Sequence, residues 1–124
     1  MKKVLIVDDE IQFAENVAKL LEETNEQLTT KAVTSSEEAL RELENEHADI
    51  VVTDIKLPVM DGIKLAEVIK NKWPHIPVIM MTAYGADEVV KSAFKIGALF
   101  YIEKPFKIEH LNNMIMMASL KGRK

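Results

Sequence analysis

The sequence predicts an α/β fold in which a parallel β-sheet is covered by helices on both faces. Five short apolar runs alternate along the chain with five amphipathic stretches, and the connections between them are short. Strict alternation of this kind is typical of parallel sheets with helical crossovers. No repeat or linker-like stretch divides the 124 residues, so we expect one domain spanning residues 1–124.

The five apolar runs predict the strands. The second run contains polar residues, as an edge strand does, and the other four predict strands buried on both faces. In chain order the predicted strands are Val4–Val7, Thr29–Thr34, Ile50–Thr53, Val78–Met81 and Leu99–Ile102.

The five amphipathic stretches predict helices, because their apolar residues recur at spacings of three and four. Ser35 with Glu38 predicts a capping box that opens the second helix, and Gly97 predicts the end of the fourth. The predicted core-facing stripes are Ala14, Val17, Ala18 and Leu21; Ala39, Leu40 and Leu43; Leu65, Val68 and Ile69; Val89, Val90, Ala93 and Phe94; and Leu111, Met114, Ile115 and Ala118.

Composition excludes several classes of protein. The net charge is -4, from 16 Lys and Arg against 20 Asp and Glu, so the chain lacks the basic surface of an autonomous nucleic-acid-binding domain. The absence of Cys excludes disulfide scaffolds, thiolate zinc sites and thiol nucleophiles. No apolar segment approaches the ~18 residues of a membrane span, and the amino terminus is unlike a signal peptide. We therefore expect a cytoplasmic domain that binds neither membrane nor nucleic acid.

Four of the predicted strands end in polar or charged residues. Asp8 and Asp9 follow the first strand, Asp54 the third, Thr82 the fourth and Lys104 the fifth. Right-handed crossovers bring the carboxyl ends of parallel strands to one edge, so these side chains are predicted to converge on one crevice. Each alone has a plainer explanation, such as Asp9 capping the first helix. Together, at the ends of four strands, they favour a functional site.

The residues of this crevice suit phosphoryl transfer. Three aspartates held close repel one another unless a cation lies between them, and their hard oxygens suit Mg²⁺. The formal charges of Asp8, Asp9 and Asp54 balance those of one Mg²⁺ and Lys104. A site balanced in this way can admit an anionic phosphoryl donor. A carboxylate then acts as the nucleophile and forms an acyl phosphate.

Motifs at these positions resemble the receiver domain of two-component response regulators over essentially the whole chain. Each motif is weak alone, but their order and their places on the predicted elements are specific. They are Val-Asp-Asp-Glu at Val7–Glu10, Asp54–Pro58 followed by Met60-Asp61-Gly62, Met81–Tyr84, and Gly97-Ala98 leading to Lys104-Pro105-Phe106. The resemblance implies a flavodoxin-like (βα)5 doubly wound fold, a five-stranded parallel sheet of order 2-1-3-4-5 and a cis Lys104–Pro105 bond.

The resemblance also implies how the acidic residues act. Asp54 would accept the phosphoryl group. Asp9 and Asp54 would bind Mg²⁺, for which Mn²⁺ could substitute. The backbone carbonyl of Lys56 would be a third ligand, and Asp8 would act mainly through water.

A switch is implied at the neighbouring strands. Thr82 would hydrogen-bond the phosphoryl group and Lys104 would pair with it. Tyr101 would rotate inward when Thr82 moves, which changes the surface of the fourth helix, fifth strand and fifth helix for a partner. Separately, Lys56 and Tyr84 follow Asp54 and Thr82 by two residues and are predicted to flank the site, where we hypothesise that they hinder an attacking water.

The implied partners are a histidine kinase or histidine phosphotransferase as donor and an effector or relay protein that responds. We expect a monomer, with a weak dimer as the alternative after phosphorylation, that promotes its own phosphotransfer and slow dephosphorylation. The end of the chain after the fifth helix favours a stand-alone receiver, although the amino-terminal receiver of a larger transcriptional regulator has the same pattern. A haloacid dehalogenase-like phosphohydrolase is disfavoured, because Lys56 stands where that mechanism needs an acid.

The remaining unusual residues receive no site role. His47, His75 and His110 are scattered along the sequence without the spacing of metal ligands. Met116 and Met117 fall off the core stripe of the last helix, so they are expected on its partly covered flank or on a contact surface.

Overall fold

A computed structural model describes residues 1–83, Lys95 and residues 100–121. Within these ranges the elements are β1 (Lys2–Val7), α1 (Ile11–Thr24), β2 (Leu28–Val33), α2 (Ser36–Asn45), β3 (Ile50–Asp54), α3 (Gly62–Lys72), β4 (Val78–Thr82), β5 (Phe100–Glu103) and α4 (Ile108–Lys121). The predicted fourth helix, with its stripe from Val89 to Phe94 and its end at Gly97, lies outside the described residues. The label α4 therefore denotes the fifth predicted helix.

The strands form one parallel sheet of order β2-β1-β3-β4-β5, which confirms the predicted topology. Strand ends differ from the predictions by one or two residues. For example, β1 begins at Lys2, because ladder pairing with β2 continues beyond the apolar run. Asp54 lies opposite Met81, and Thr82 lies opposite Glu103. The edge at which the strands end is called the carboxyl edge below, and the opposite one the amino edge.

An apolar layer on each face of the sheet holds the helices in place. Helices α2 and α3 cover one face with buried residues that include Ala39, Leu43, Leu65, Ala66 and Ile69. Helices α1 and α4 cover the other with Ala14, Val17, Leu21, Leu111 and Ile115 among others. Burying each large apolar side chain stabilises the fold by roughly 1.5–3 kcal/mol.

The predicted stripes match these layers, although the predicted Leu40 and Met114 are only partly buried. In α3 the buried residues include Ala66, and the predicted Val68 is only partly buried. In α4 Met116 and Met117 are exposed, as the stripe predicted. Among the described helices, none is long and apolar enough to cross a membrane.

Side-chain caps fix the starts of two helices. The Ser35 oxygen accepts the Glu38 N–H at 3.1 Å, as the predicted capping box requires. The Glu38 carboxylate, however, accepts the N–H of Thr34 at 3.2 Å, one residue before the helix cap. At α3 the Asp61 carboxylate accepts the Lys64 N–H at 2.9 Å. This cap ends the loop that follows Asp54 at a defined point.

Candidate functional site

Three aspartates meet at the carboxyl edge, as the sequence predicts. Asp8 and Asp9 follow β1, and Asp54 is the last residue of β3. One carboxylate oxygen of each lies within 4.8 Å of those of the other two. Asp8 is fully buried, the Asp54 side chain is 14% exposed and Asp9 is open to solvent. The plainer reading of Asp9 as a helix cap is wrong, because Glu10 occupies the cap position of α1.

Asp8 holds its buried charge through hydrogen bonds to both oxygens. Oδ1 accepts the N–H of Glu10 at 2.9 Å, and Oδ2 accepts the ammonium of Lys104 at 2.7 Å. Its own N–H donates to the carbonyl of Val33 at 3.1 Å. A buried carboxylate without such partners strongly destabilises a fold, so the position of Asp8 depends on Lys104.

Lys104 is shared between two carboxylates, which confirms its predicted convergence with them. Its Nζ lies 2.7 Å from Asp8 Oδ2 and 3.3 Å from Asp54 Oδ2, with the side chain 22% exposed. The Lys104 N–H donates to the carbonyl of Thr82 at 2.9 Å, which ties the loop after β5 to the end of β4. The Lys104–Pro105 bond is cis, as the resemblance implies.

Burial and charge shift the pKa values of these groups. Burial, the largest effect, raises the pKa of Asp54, and the charge of Asp8 raises it further against the opposing effects of Lys104 and the Lys56 N–H. Burial lowers the pKa of Lys104, but hydrogen bonds and charge from Asp8 and Asp54 outweigh it and the pKa is raised. The site therefore keeps its ammonium charged while it resists the ionisation of Asp54, an imbalance that an added cation relieves.

Two predicted switch residues occupy different environments. Thr82 is the buried last residue of β4, and its hydroxyl donates to the carbonyl of Ala83 at 3.0 Å. Tyr101 lies on β5 and is 38% exposed. Tyr101 also lines a groove of about 640 Å³ together with Phe106 and Met114. An exposed aromatic ring beside such a groove has room to change position.

A second groove, of about 520 Å³, opens beside the carboxylates. Its walls include Asp9, Lys56, Pro58 and Asp61. Lys56 is exposed here, as its predicted flanking position requires, whereas Tyr84 lies outside the described residues. A donor molecule therefore has an open approach to the acidic site.

The loop after Asp54 is held by two unusual backbone positions. The Gly62 N–H donates to the carbonyl of Ile55 at 2.7 Å, and a Cβ on Gly62 would lie 2.0 Å from the carbonyl oxygen of Asp54. Val59 has a φ of 69° and is 98% exposed. The left-handed region is unfavourable for a β-branched residue, so this loop stores strain close to Asp54.

An aromatic residue that the sequence analysis missed completes the site. The Nζ of Lys104 lies over the ring of Phe13, 4.4 Å from its centre. Phe13 in turn meets Phe106 edge-on, with ring centres 6.1 Å apart and planes at 81°. The available signal was small: Phe106 belongs to the Lys-Pro-Phe motif, and Phe13 lies one position before the core stripe of α1.

Two of the histidines that are far apart in the sequence, His47 and His75, lie together in the structure. The rings of His47 and His75 stack with centres 5.8 Å apart and planes at 9°. The Nε2 of His47 lies 3.1 Å from Asp49 Oδ1. The connections before β3 and β4 bring these residues together at the amino edge, at the opposite end of the strands from Asp8, Asp9 and Asp54.

The donors at the carboxyl edge fit a hard divalent cation. Asp8, Asp9 and Asp54 offer carboxylate oxygens, which Mg²⁺ and Mn²⁺ accept readily. Mg²⁺ commonly uses one or two carboxylates and retains several waters. This agrees with an exposed Asp9, a mostly buried Asp54 and an Asp8 whose two oxygens already accept hydrogen bonds. The geometry therefore supports a metal-assisted reaction at Asp54.

Comparison with known proteins identifies one family. Residues 4–116 match the response regulator receiver domain. A receiver domain protein from Clostridium thermocellum has a similar crystal structure, with a TM-score of 0.91 at 32% identity over 98% of this chain and 96% of that one. This likeness agrees with the predicted order of the five strands.

Similarity at the level of sequence extends to longer proteins. The chain is 36% identical over 118 residues to the response regulator protein FleR of Pseudomonas aeruginosa, which covers 95% of the chain and 24% of FleR. It is 40% identical over 111 residues to the heme response regulator HssR of Staphylococcus epidermidis, which covers 90% of the chain and 48% of HssR. The chain thus spans about a quarter of the length of FleR and about half of that of HssR.

Proposed function

The chain belongs to the response regulator receiver domain family, and from that premise we propose that Asp54 accepts a phosphoryl group from a phosphohistidine. The donor is a histidine kinase or a histidine phosphotransferase. The observation that carries this proposal is the mostly buried Asp54 carboxylate, which has two further carboxylates and the Lys104 ammonium beside it. The same role serves a receiver that acts alone and one at the amino terminus of a larger regulator.

In the proposed transfer, a carboxylate oxygen of Asp54 attacks the phosphorus atom of the donor. An O–P bond forms as the N–P bond to the donor imidazole breaks, and the departing nitrogen keeps the electron pair. Lys104, whose Nζ lies 3.3 Å from Asp54 Oδ2, donates to the transferred group and offsets its charge. The Thr82 hydroxyl exchanges its bond to the Ala83 carbonyl for a bond to a phosphoryl oxygen.

Mg²⁺ would be held by Asp9, Asp54 and the backbone carbonyl of Lys56, with Asp8 acting through water. When bound, the ion supplies positive charge that favours the ionised Asp54 carboxylate and offsets the charge of the transferred group. Asp8 suits an indirect role, because its two oxygens already accept hydrogen bonds from Glu10 and Lys104. Asp9 is exposed and can bind from the solvent side.

Phosphorylation then changes the surface around β5. A phosphoryl group adds charge and acceptor oxygens at Asp54, which draw Thr82 and Lys104 toward it. Movement of the buried Thr82 leaves space for Tyr101, which is 38% exposed beside the groove of β5 and α4. An effector or relay protein that binds this groove would distinguish the phosphorylated from the unphosphorylated form.

Slow loss of the phosphoryl group is part of the proposal. Lys56 is exposed on the groove through which a hydrolytic water approaches. Substitution Lys56→Ala should therefore accelerate phosphate loss, and Tyr84→Ala is the companion test. Equal rates in both variants and the parent would refute a shielding role.

The central test is phosphorylation by acetyl phosphate with Mg²⁺, followed by intact mass. We expect a gain of one phosphoryl group in the parent and no gain in Asp54→Asn. Asp61→Asn is the matched control, because Asp61 lines the same groove but caps α3 through the Lys64 N–H, a role that Asn preserves. No adduct in the parent, or an adduct that persists in Asp54→Asn, would overturn the proposal.

A further inference from the structure

The ammonium of Lys104 has two kinds of partner. Its carboxylate partners are Asp8 at 2.7 Å and Asp54 at 3.3 Å. Its aromatic partner is Phe13, with the nitrogen 4.4 Å from the ring centre. This distance is well inside the ~6 Å over which a ring face attracts a cation. Phe13 therefore contributes electrostatically to the site without a polar atom of its own.

The ring of Phe13 is itself held in place. Phe13 is partly buried against the apolar layer under α1 and α4. Its ring contacts Phe106 edge-on at 6.1 Å, a favourable geometry for aromatic pairs. Phe106 follows Lys104 by two residues, so the segment that carries the ammonium also fixes the ring beneath it. The ring is a packed wall of the site.

We propose that Phe13 is a positioning residue for phosphoryl transfer, whose ring face holds the Lys104 ammonium beside Asp54. This inference rests on the proposed function. A Lys side chain has about 2 kcal/mol of rotamer entropy to lose, and a fixed ring limits the positions that it samples. A leucine at this position would exclude water equally but would not attract the charge.

The aromatic contact also suits the movement that phosphorylation requires. The Nζ of Lys104 is closer to Asp8 than to Asp54. It must shift toward Asp54 when phosphoryl oxygens form there. Attraction by a ring face extends across the face and needs no single hydrogen-bond direction, so the contact with Phe13 persists during this shift.

The first test compares three substitutions by their rate of phosphorylation with acetyl phosphate and Mg²⁺. Phe13→Leu keeps the apolar volume and loses the ring, and we expect its rate to fall about fivefold, as the loss of one cation–π contact implies. Phe13→Tyr and Phe13→Trp keep a ring face and should restore the rate of the parent. A Phe13→Leu rate equal to the parent's, or equal losses in all three variants, would overturn the positioning role.

The second test separates positioning from general packing. In a Lys104→Met background, whose folding is checked by circular dichroism, Phe13→Leu should cause no further loss of rate. A further fivefold loss there would show that Phe13 acts through packing alone and would overturn the proposal. If the parent forms no phosphoryl adduct at all, the proposed function of Asp54 is refuted, and the positioning role of Phe13 falls with it. A parent that is phosphorylated while the Phe13 variants behave alike refutes the positioning role alone.

Discussion

The two edges of the sheet place acidic groups around a lysine in different environments. At the carboxyl edge, three aspartates lie close together, two of them share the Lys104 ammonium, and burial raises the pKa of Asp54. At the amino edge, Lys3 Nζ bonds the carboxylates of Glu42 at 2.7 Å and Glu46 at 3.3 Å. The Lys3 N–H also donates to Asp49 Oδ2 at 2.8 Å. Both edges place acids around one lysine, but Asp54 at the carboxyl edge is mostly buried, whereas Glu46 at the amino edge is open to solvent.

The pKa shifts show what this difference does. The hydrogen bond from Lys3 lowers the pKa of Glu42. Burial raises the pKa of Asp49, but hydrogen bonds from the Lys3 N–H and His47 outweigh it and lower the value. A lowered acid pKa means that ionisation favours folding, whereas the raised pKa of Asp54 means that its ionisation opposes folding. The charges of the amino edge stabilise the fold, whereas ionisation of Asp54 at the carboxyl edge destabilises it, as is common at functional sites.

The largest loss of stability is expected at Gly62, which packs tightly against the end of β3 at the carboxyl edge. In Gly62→Ala the new Cβ would lie 2.0 Å from the carbonyl oxygen of Asp54, a backbone atom that moves only with β3. We expect a loss of about 3 kcal/mol in the free energy of unfolding, measured by urea denaturation. Ala is the better helix former, so without this clash the substitution would stabilise α3 by about 1 kcal/mol. A gain in stability would therefore contradict the close approach.

The next prediction compares the stability cost of removing Lys104 at the carboxyl edge with that of removing Lys3 at the amino edge. Lys104→Met leaves the fully buried Asp8 without its ammonium partner, and we expect a loss of about 3 kcal/mol at neutral pH. Lys3→Met removes a more exposed set of ion pairs and should cost about 1 kcal/mol. Urea unfolding measures both.

A second substitution checks the reason for that difference. Asp8→Asn in the Lys104→Met background removes the unpaired buried charge and should recover most of the lost stability. Equal losses in the two Lys variants, or no recovery with Asp8→Asn, would show that the carboxyl edge is not under electrostatic strain.

Replacing an acid by its amide should change the free energy of unfolding in opposite directions at the two edges. In the presence of chelator, Asp54→Asn should stabilise the fold by about 1 kcal/mol at neutral pH, because it removes a carboxylate whose ionisation is resisted. Glu42→Gln should destabilise the fold by about 0.5 kcal/mol, because it removes the negative charge that pairs with Lys3. The free energy of unfolding of each variant, relative to the parent, gives the sign directly.

The pH dependence of the same pair follows from the directions of the shifts. The cost of ionising Asp54 is absent below its ordinary pKa of 3.8 and grows as pH rises through its higher folded value, so the advantage of Asp54→Asn vanishes in acid. The contribution of Glu42 is present above its ordinary pKa of 4.5 and is lost as pH falls through its lower folded value. Added Mg²⁺ should stabilise the parent and leave Asp54→Asn almost unchanged. Stability changes of the same sign in Asp54→Asn and Glu42→Gln would show that the two edges do not differ in this way.

Local patterns in the sequence predicted most of the fold and the charged part of the site. Apolar runs fixed the five strands, and the shared edge of parallel strands predicted that Asp8, Asp54 and Lys104 meet. The contact between Phe13 and Lys104 was not predictable in this way, because it joins α1 to the loop after β5 and depends on how a helix packs on the sheet. The left-handed backbone conformation of Val59 was not predictable either, because valine favours extended backbone.

The smallest effect concerns backbone strain at the carboxyl edge. Val59 has a φ of 69°, and its side chain is 98% exposed, so removing this side chain loses no packing contacts. Val59→Gly relieves a left-handed conformation that costs an ordinary residue about 1–2 kcal/mol, offset by the greater freedom of glycine in the unfolded chain. We expect a net gain of about 0.5 kcal/mol in urea unfolding, and little gain from Val59→Ala, which keeps the Cβ. If glycine and alanine change stability equally, the loop beside Asp54 is unstrained, and charge alone distinguishes this edge from the amino edge.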